Sequence, residues 1–202
     1  TFSSFLNPSS APFTAIVTNP LHHTNSTSIT DWCFRDPNST LHVFSAYSTN
    51  YWSTIDPVIT STPPTSVIIV PLVARHIDFL ASLTASSSPK LPPTIRSSLS
   101  RCVVLLGSAP VGPTTIKNME ECAGTLPTVR FGSTETTLQV MGTPRTTIAK
   151  DFQCGWDHTH NGTPSPGYFI GRPHEGLTDV RIVKSVERGE VGFMVDVGVG
   201  VP

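Results

Sequence analysis

Charge is what this sequence has least of. Only 13% of its 202 residues are Asp, Glu, Lys or Arg, about half the usual share in a soluble domain. With 13 Lys+Arg against 14 Asp+Glu the formal net charge is -1. No basic cluster can neutralise a run of phosphates, which excludes a nucleic-acid partner held electrostatically. No apolar stretch approaches the roughly 18 residues that cross a bilayer, so no transmembrane segment is expected. The first residues carry neither the basic start nor the hydrophobic core of a signal peptide. Cysteine is sparse as well. Cys33, Cys102, Cys122 and Cys154 form no CxxC pair, and reduced, buried thiols in an intracellular, cytoplasmic protein are the expectation. Asn-x-Ser/Thr sequons at Asn25, Asn38 and Asn161 are what chance supplies at this hydroxyl content, and no internal repeat is present.

What fills the gap left by charge is hydroxyl: Ser and Thr make up about a quarter of the chain. A disordered stalk could have that composition, but it would not contain the apolar runs at 66–70 and 102–106, which must be buried. Candidate strands are 13–17, 41–45, 67–70, 102–106, 128–131 and 138–141. Val73, Ile77, Leu80 and Leu83 have helical spacing within 72–83, and Pro113 opens a second amphipathic helix through Ile116, Met119 and Ala123. Strands alternating with helices predict an α/β fold with a mainly parallel sheet and crossover helices. Pro/Ser-rich stretches at 61–65 and 86–93 read as surface connectors. After Pro166 the pattern changes. Residues 177–186 read as a strand, and 191–201 alternate Val191, Phe193, Val195, Val197, Val199 and Val201 against small or polar residues, which predicts antiparallel strands with one buried face. The expected division is an α/β nucleotide-binding subdomain over 1–160 and the first antiparallel strands of a small β-barrel over 161–202, with the boundary inside 157–166.

Two strand-to-turn segments separated by one helix carry the chemistry: Leu105-Leu-Gly-Ser-Ala-Pro110 and Arg130-Phe-Gly-Ser-Thr-Glu-Thr136. In a parallel sheet both turns lie at the carboxyl ends of neighbouring strands, where open α/β sheets bind ligands. A glycine directly after a buried strand lets backbone approach a flat ligand, and Phe131 offers an aromatic face for a base. Ser133, Thr134 and Thr136 offer hydroxyls to phosphate oxygens, and Glu135 a hard oxygen suited to Mg²⁺. Together these residues point to a nucleotide site. Thr134-Glu135 as a plain helix cap and first-turn acid is the alternative. His23 reads equally as a loop histidine or as a substrate-side group. Cys154, Asp157, His158 and His160 are close in sequence, yet only two good ligands are closely spaced, so a solvated loop is expected there rather than a metal centre.

These residues also resemble the adenylate-forming (AMP-binding) superfamily of acyl- and aryl-CoA synthetases, luciferases and peptide-synthetase adenylation domains. Phe131-Gly-Ser-Thr-Glu135 is similar to its aromatic-Gly-x-Thr-Glu motif, and Leu106-Gly-Ser-Ala-Pro110 to its Gly-Gly-Ala-Pro segment. Asn19-Pro-Leu-His-His-Thr-Asn25, Val70-Pro-Leu-Val-Ala-Arg75, and Ile170-Gly-Arg-Pro173 with Asp179-Val-Arg-Ile-Val183 and Gly189-Glu-Val-Gly192 resemble further family segments, in the family's order. The resemblance implies a ligase that uses ATP, Mg²⁺ and CoA to adenylate a small carboxylic acid and then form a thioester. It implies that Phe131, Gly132 and Ser133 border the nucleotide and that Gly107, Ser108, Ala109 and Pro110 line the adenine and acyl pocket. Thr134 would contact phosphate, Glu135 would help hold Mg²⁺, and His23 would sit beside the substrate carboxylate. His22 stands where the family has an aromatic residue.

The family's Ser/Thr/Gly-rich phosphate loop, its ribose-gripping Thr-Gly-Asp motif and its C-terminal catalytic Lys have no counterpart in these residues. Ser86-Ser-Ser-Pro-Lys90 mimics the end of the phosphate loop but lies in a connector and lacks glycine. The expectation is therefore a middle section of a longer polypeptide, inactive by itself and completed by the remainder of that chain. An adenylation domain that loads a carrier protein and a non-catalytic binding module are the alternatives.

Overall fold

The fully apolar runs become the centre of the sheet. A computed structural model of the chain describes residues 11–136, 139–174 and 176–181. In it β1 (Phe13–Val17), β3 (Val67–Leu72) and β4 (Cys102–Leu106) are buried along almost every residue, as strands covered on both faces must be. β2 (Ser39–Val43) and β5 (Thr128–Gly132) flank them, giving the parallel order β2-β1-β3-β4-β5. β6 (Gln139–Gly142) and β9 (Arg172–Pro173) extend the sheet antiparallel beyond β5. A separate two-stranded ribbon pairs β7 (Thr159–His160) with β8 (Thr163–Pro164). The expected α/β architecture with a mainly parallel sheet is the one found.

Among the described residues one face of the sheet is covered by a single helix, α1 (Thr24–Arg35). Its Ile29 and Cys33 pack on Phe13, Ala15, Val17, Ile69, Val103 and Leu105, and Trp32 stacks on Phe13 at 4.1 Å. The other face carries α2 (Tyr51–Ser61), α3 (Ala74–Ala85), α4 (Ile95–Leu99), α5 (Pro113–Ala123) and α6 (Ala149–Trp156). Trp52, Ile55, Ile59, Ile77, Leu80, Leu99, Met119 and Phe152 meet there in one cluster. α2 and α4 are joined by a buried carboxylate: Asp56 accepts from Ser98 Oγ at 2.6 Å and from Thr94 Oγ1 at 2.8 Å. At Gly171, φ is +92°, and a Cβ would overlap the backbone of Gly142, so only glycine lets the chain run past β6 into β9.

Several expectations need correction. Helices α1, α2, α4 and α6 are not among the expected elements, and β2 begins two residues earlier than expected, at Ser39. The expected strand over 177–186 is absent from its described part, since 177–181 form turn and irregular backbone. The rest of that run and the alternation over 191–201 lie outside the described residues. Cys33, Cys102 and Cys122 are buried free thiols as expected, but Cys154 is exposed. Among the described residues no helix is long and apolar enough to cross a membrane.

Tyr47 and His76 seal the edge of the larger cluster. Their rings stack at 4.0 Å and 6° between planes, and Tyr47 Oη accepts from Trp52 Nε1 at 2.8 Å. Burial pushes the His76 imidazole down to about 4. Its folded value lies below the unfolded one, so the stability it contributes is complete above about pH 6.5 and is lost as pH falls toward 4. Urea midpoints measured from about pH 7 to about pH 4.5 should therefore fall less steeply for His76→Phe, which keeps the stacked ring, than for the wild type. Identical slopes would mean that His76 protonates equally in both states.

Candidate functional site

Parallel pairing of β4 with β5, Leu105 opposite Thr128 and Leu106 opposite Val129, brings the two sequence-predicted turns side by side at the carboxyl edge of the sheet. A third segment joins them. His23 is the N-cap of α1, with Nδ1 accepting from the Asn25 N–H at 3.3 Å, and Asn25 Nδ2 donates to Ser108 Oγ at 2.6 Å. Ser108 is held at φ +68°, a left-handed conformation that a non-glycine residue adopts only when its surroundings fix it. A cleft of about 270 Å³ results, lined by His23, Thr24, Asn25, Ser108, Arg130 and the Gly132–Glu135 turn.

An apolar cleft of about 400 Å³ adjoins it and shares Ser108, Arg130 and Gly132. Ala109, Pro110, Val111, Phe131, Tyr168 and Phe169 line this second space, and Phe131 and Tyr168 are about half exposed, at 48% and 52%. Wet aromatic faces beside a glycine turn suit a planar heterocycle. Tyr168 and Phe169 also border a third cleft, of about 570 Å³, with Asp151, Cys154, His158 and Arg172.

The sequence-predicted site residues fall as follows. Ser108, Gly132, Ser133, Thr134, Glu135 and His23 share the polar cleft, and Ala109, Pro110 and Phe131 line the apolar one with Ser108 and Gly132. Gly107 lines neither. It lies over Arg130, and a Cβ there would come within 2.8 Å of Arg130 Cγ and Nε. Thr136 turns inward on its own loop, accepting from the Ser133 N–H at 3.0 Å and donating to the Ser133 carbonyl at 2.9 Å. Cys154, Asp157, His158 and His160 are exposed, and Asp157 accepts both hydrogen bonds from Gln153 Nε2, at 2.8 and 2.9 Å. Among the described residues no three His, Cys, Asp or Glu side chains converge as a metal cage.

Arg130, Asn25 and Tyr168 line the clefts without having been singled out from the sequence. The signal for Arg130 was available: a lone cation in the middle of a strand whose neighbours Thr128 and Val129 are both buried.

Electrostatically the polar cleft is uneven. Glu135 is fully exposed, and hydrogen bonds from the Ser133 side chain and then from its own backbone hold its carboxyl below the usual value. It is therefore ionised at neutral pH and free to take a cation from solvent. Arg130, lining the same cleft, is only 6% exposed, and burial alone pushes its guanidinium down to about 10, still protonated at neutral pH.

Comparison with solved structures reports the same fold in CoA ligases. A malonyl-CoA ligase in a ternary product complex with methylmalonyl-CoA and AMP superposes with TM-score 0.56 and 15% identity, over 80% of this chain and 29% of that one. ATP-bound MatB from Rhodopseudomonas palustris gives 0.53 and 16% over 73% and 26%, respectively. MenE from Bacillus subtilis, an O-succinylbenzoate coenzyme A synthetase in complex with ATP and a magnesium ion, gives 0.51 and 16% over 90% and 30%. This chain thus spans less than a third of the length of each. No protein-family model and no curated protein sequence matches it. At these identities the likeness establishes the fold, and the resemblance read from the motifs is met at that level.

The Glu135 electrostatics can be checked directly. Replacing Ser133 with Ala should raise the Glu135 carboxyl toward its ordinary value, because the largest lowering contribution disappears. Carbon-detected NMR titration of the Glu135 carboxyl reads this, and an unchanged titration would place the stabilisation in the backbone instead.

Proposed function

We propose that this chain is part of an ATP-dependent ligase that adenylates a carboxylic acid and passes the acyl group to the thiol of CoA. In the first half-reaction a carboxylate oxygen attacks the α-phosphorus of ATP, the bond to the β,γ-phosphates breaks, and pyrophosphate leaves with its electron pair. In the second, the thiol sulfur attacks the acyl carbon, AMP departs, and the thiol proton goes to solvent. Such chemistry needs charge neutralised and reactants aligned more than it needs a protein nucleophile.

The observation that carries this proposal is the convergence of three sequence-distant segments on one sheet edge, tied by the Asn25–Ser108 hydrogen bond at 2.6 Å and containing both a wet aromatic cleft and a polar one. Adenine fits the apolar cleft, against Phe131 and the Ala109–Pro110 backbone. The Gly132–Glu135 turn would receive the phosphates, with Ser133 and Thr134 as hydroxyl donors. Magnesium fits the exposed, ionised Glu135, because Mg²⁺ binds through one or two carboxylates and keeps water and phosphate oxygens as its other ligands. When bound, it supplies positive charge to the departing pyrophosphate. His23 stands beside the acid, fixed by its capping bond. The CoA half of the proposal rests on the motif resemblance and on the CoA ligases that share the fold. In the same proposal residues 161–202 open a small β-barrel subdomain.

Glu135→Ala in the full-length protein should lower ATP–pyrophosphate exchange by roughly 10²-fold or more while leaving the melting curve in place, since an exposed turn carboxylate contributes little to folding. Thr134→Ala should cost less, roughly tenfold, as one neutral donor among several. Exchange that stays near normal in Glu135→Ala, or falls only in step with the melting temperature, would reduce Glu135 to a turn cap.

A further inference from the structure

The cleft of about 570 Å³ beside α6 is larger than either cleft of the candidate site, and the proposed reaction makes no use of it. Its size falls within the roughly 300–1,000 Å³ of small-molecule sites. Three segments enclose it: the turn after β6, helix α6 with His158 beyond it, and the Gly167–Arg172 run into β9. Backbone ties these walls together. Gly167 N–H donates to the Gly155 carbonyl at 2.8 Å, Thr147 N–H donates to the Pro144 carbonyl at 3.0 Å, and Arg172 is held opposite Gly142 in the sheet. A Cβ on Gly155 would come within 2.9 Å of the Phe169 nitrogen, so α6 rests directly on the 167–169 backbone.

What distinguishes this cleft is that it carries charges of both signs that do not meet. Arg172 and Asp151 both line it. Among the described residues the ion pairs are Arg35–Asp31, Lys117–Glu121 and Arg181–Asp179, so Arg172 and Asp151 stand outside ion-pair distance of one another. Among the same residues the Arg172 guanidinium makes no hydrogen bond. Asp151 commits one oxygen, Oδ2, to the Ile148 N–H at 2.9 Å, where it caps α6, and Oδ1 has no protein partner there. The lining also includes an aromatic wall of Tyr168, about half exposed, and Phe169, which packs edge-on against the buried Phe152.

A cation and an anion held apart on the walls of one cleft complement a ligand that carries both charges. Each wall charge then gains a partner, whereas a purely anionic ligand would meet Asp151 and a purely cationic one Arg172. An α-amino acid has this charge pair on a single carbon. Its carboxylate matches the planar guanidinium fork, and its ammonium offers three donors to a carboxylate oxygen. The aromatic wall suits an apolar side chain. We propose that this cleft binds a free α-amino acid with an apolar side chain, its carboxylate on Arg172, its ammonium on Asp151 and its side chain against Tyr168 and Phe169. The site is distinct from the one assigned to the nucleotide and the reacting acid, and the assignment does not depend on the ligase reading. Tyr168 and Phe169 also line the aromatic cleft beside Phe131, so whatever effect the amino acid has on nucleotide affinity the nucleotide has in equal measure on the amino acid.

Calorimetry on the full-length protein tests this by comparing L-phenylalanine with 3-phenylpropionate, which lacks the ammonium, and 2-phenylethylamine, which lacks the carboxylate. Phenylalanine should bind at least tenfold more tightly than either. R172M should bring phenylalanine down to the level of phenylethylamine. D151N, which keeps an acceptor for the Ile148 N–H, should bring it to the level of phenylpropionate and leave the melting curve in place. Cys154 locates the site, because it lines this cleft and is exposed where Cys33, Cys102 and Cys122 are buried. Phenylalanine should therefore slow alkylation of Cys154 by iodoacetamide several-fold, read by mass spectrometry on the peptide that contains it. Equal affinity for the three compounds overturns the proposal, as does the absence of binding by all three. Phenylalanine binding that R172M and D151N leave unchanged also overturns it. If that unchanged binding supports ATP–pyrophosphate exchange, the amino acid is a substrate in the polar cleft, and the ligase reading stands while this assignment falls.

Discussion

Everything at the site follows from three strands that can exist only with both faces covered. β1, β3 and β4 are almost wholly buried, and parallel strands cannot be joined by tight hairpins. Each must be followed by a crossover, the crossovers supply the helices that cover the faces, and all strands then end at the same edge. Backbone emerging there from a buried strand has lost its ladder partners, so polar turns collect at that edge. The Ser108 turn, the Gly132–Glu135 turn and the α1 N-terminus are therefore neighbours because of the sheet, although up to 112 positions separate His23 from Glu135 in the sequence.

That dependence explains what could be read in the sequence. Buried strands are continuous Val/Ile/Leu runs, and 13–17 and 102–106 carry boundaries identical to the observed β1 and β4. Once those strands and one crossover helix are in place, adjacency of the two turns is a matter of topology. Helices were harder. α1 reads Thr-Asn-Ser-Thr-Ser-Ile-Thr-Asp-Trp-Cys-Phe-Arg, poor in strong helix formers, and buries only Ser26, Ile29 and Cys33 fully, so its apolar stripe is narrow and tertiary packing decides it. α2 contains Pro57, which argues locally against a helix, yet Trp52, Ile55 and Ile59 bury enough surface to hold it. β2 is half exposed and lacks a continuous apolar run, so its ends are weakly marked in the sequence.

The site itself was legible in composition but not in electrostatics. Ser133, Thr134 and Glu135 announce their chemistry by residue type. Arg130 does not, because whether a strand arginine snorkels to water, pairs with a carboxylate or stays unpaired depends on what crosses it in space. Gly107 is informative here for a reason unrelated to φ: it is small because a guanidinium lies against it. The Cys154–His160 stretch errs the other way. Its residue types suggest ligation, but they do not converge: Cys154 and His158 border the third cleft, His160 contacts Asn161, and Asp157 accepts from Gln153 on the preceding turn.

Tyr168 and Phe169 separate the apolar cleft beside Phe131 from the larger one beside Cys154 and His158. Side chains that line two clefts have no independent surfaces. A substitution at Tyr168 or Phe169 therefore alters the lining of both clefts at once. Evolution or engineering that enlarges the space beside Phe131 through this wall must also remodel the cleft beside Cys154 and His158.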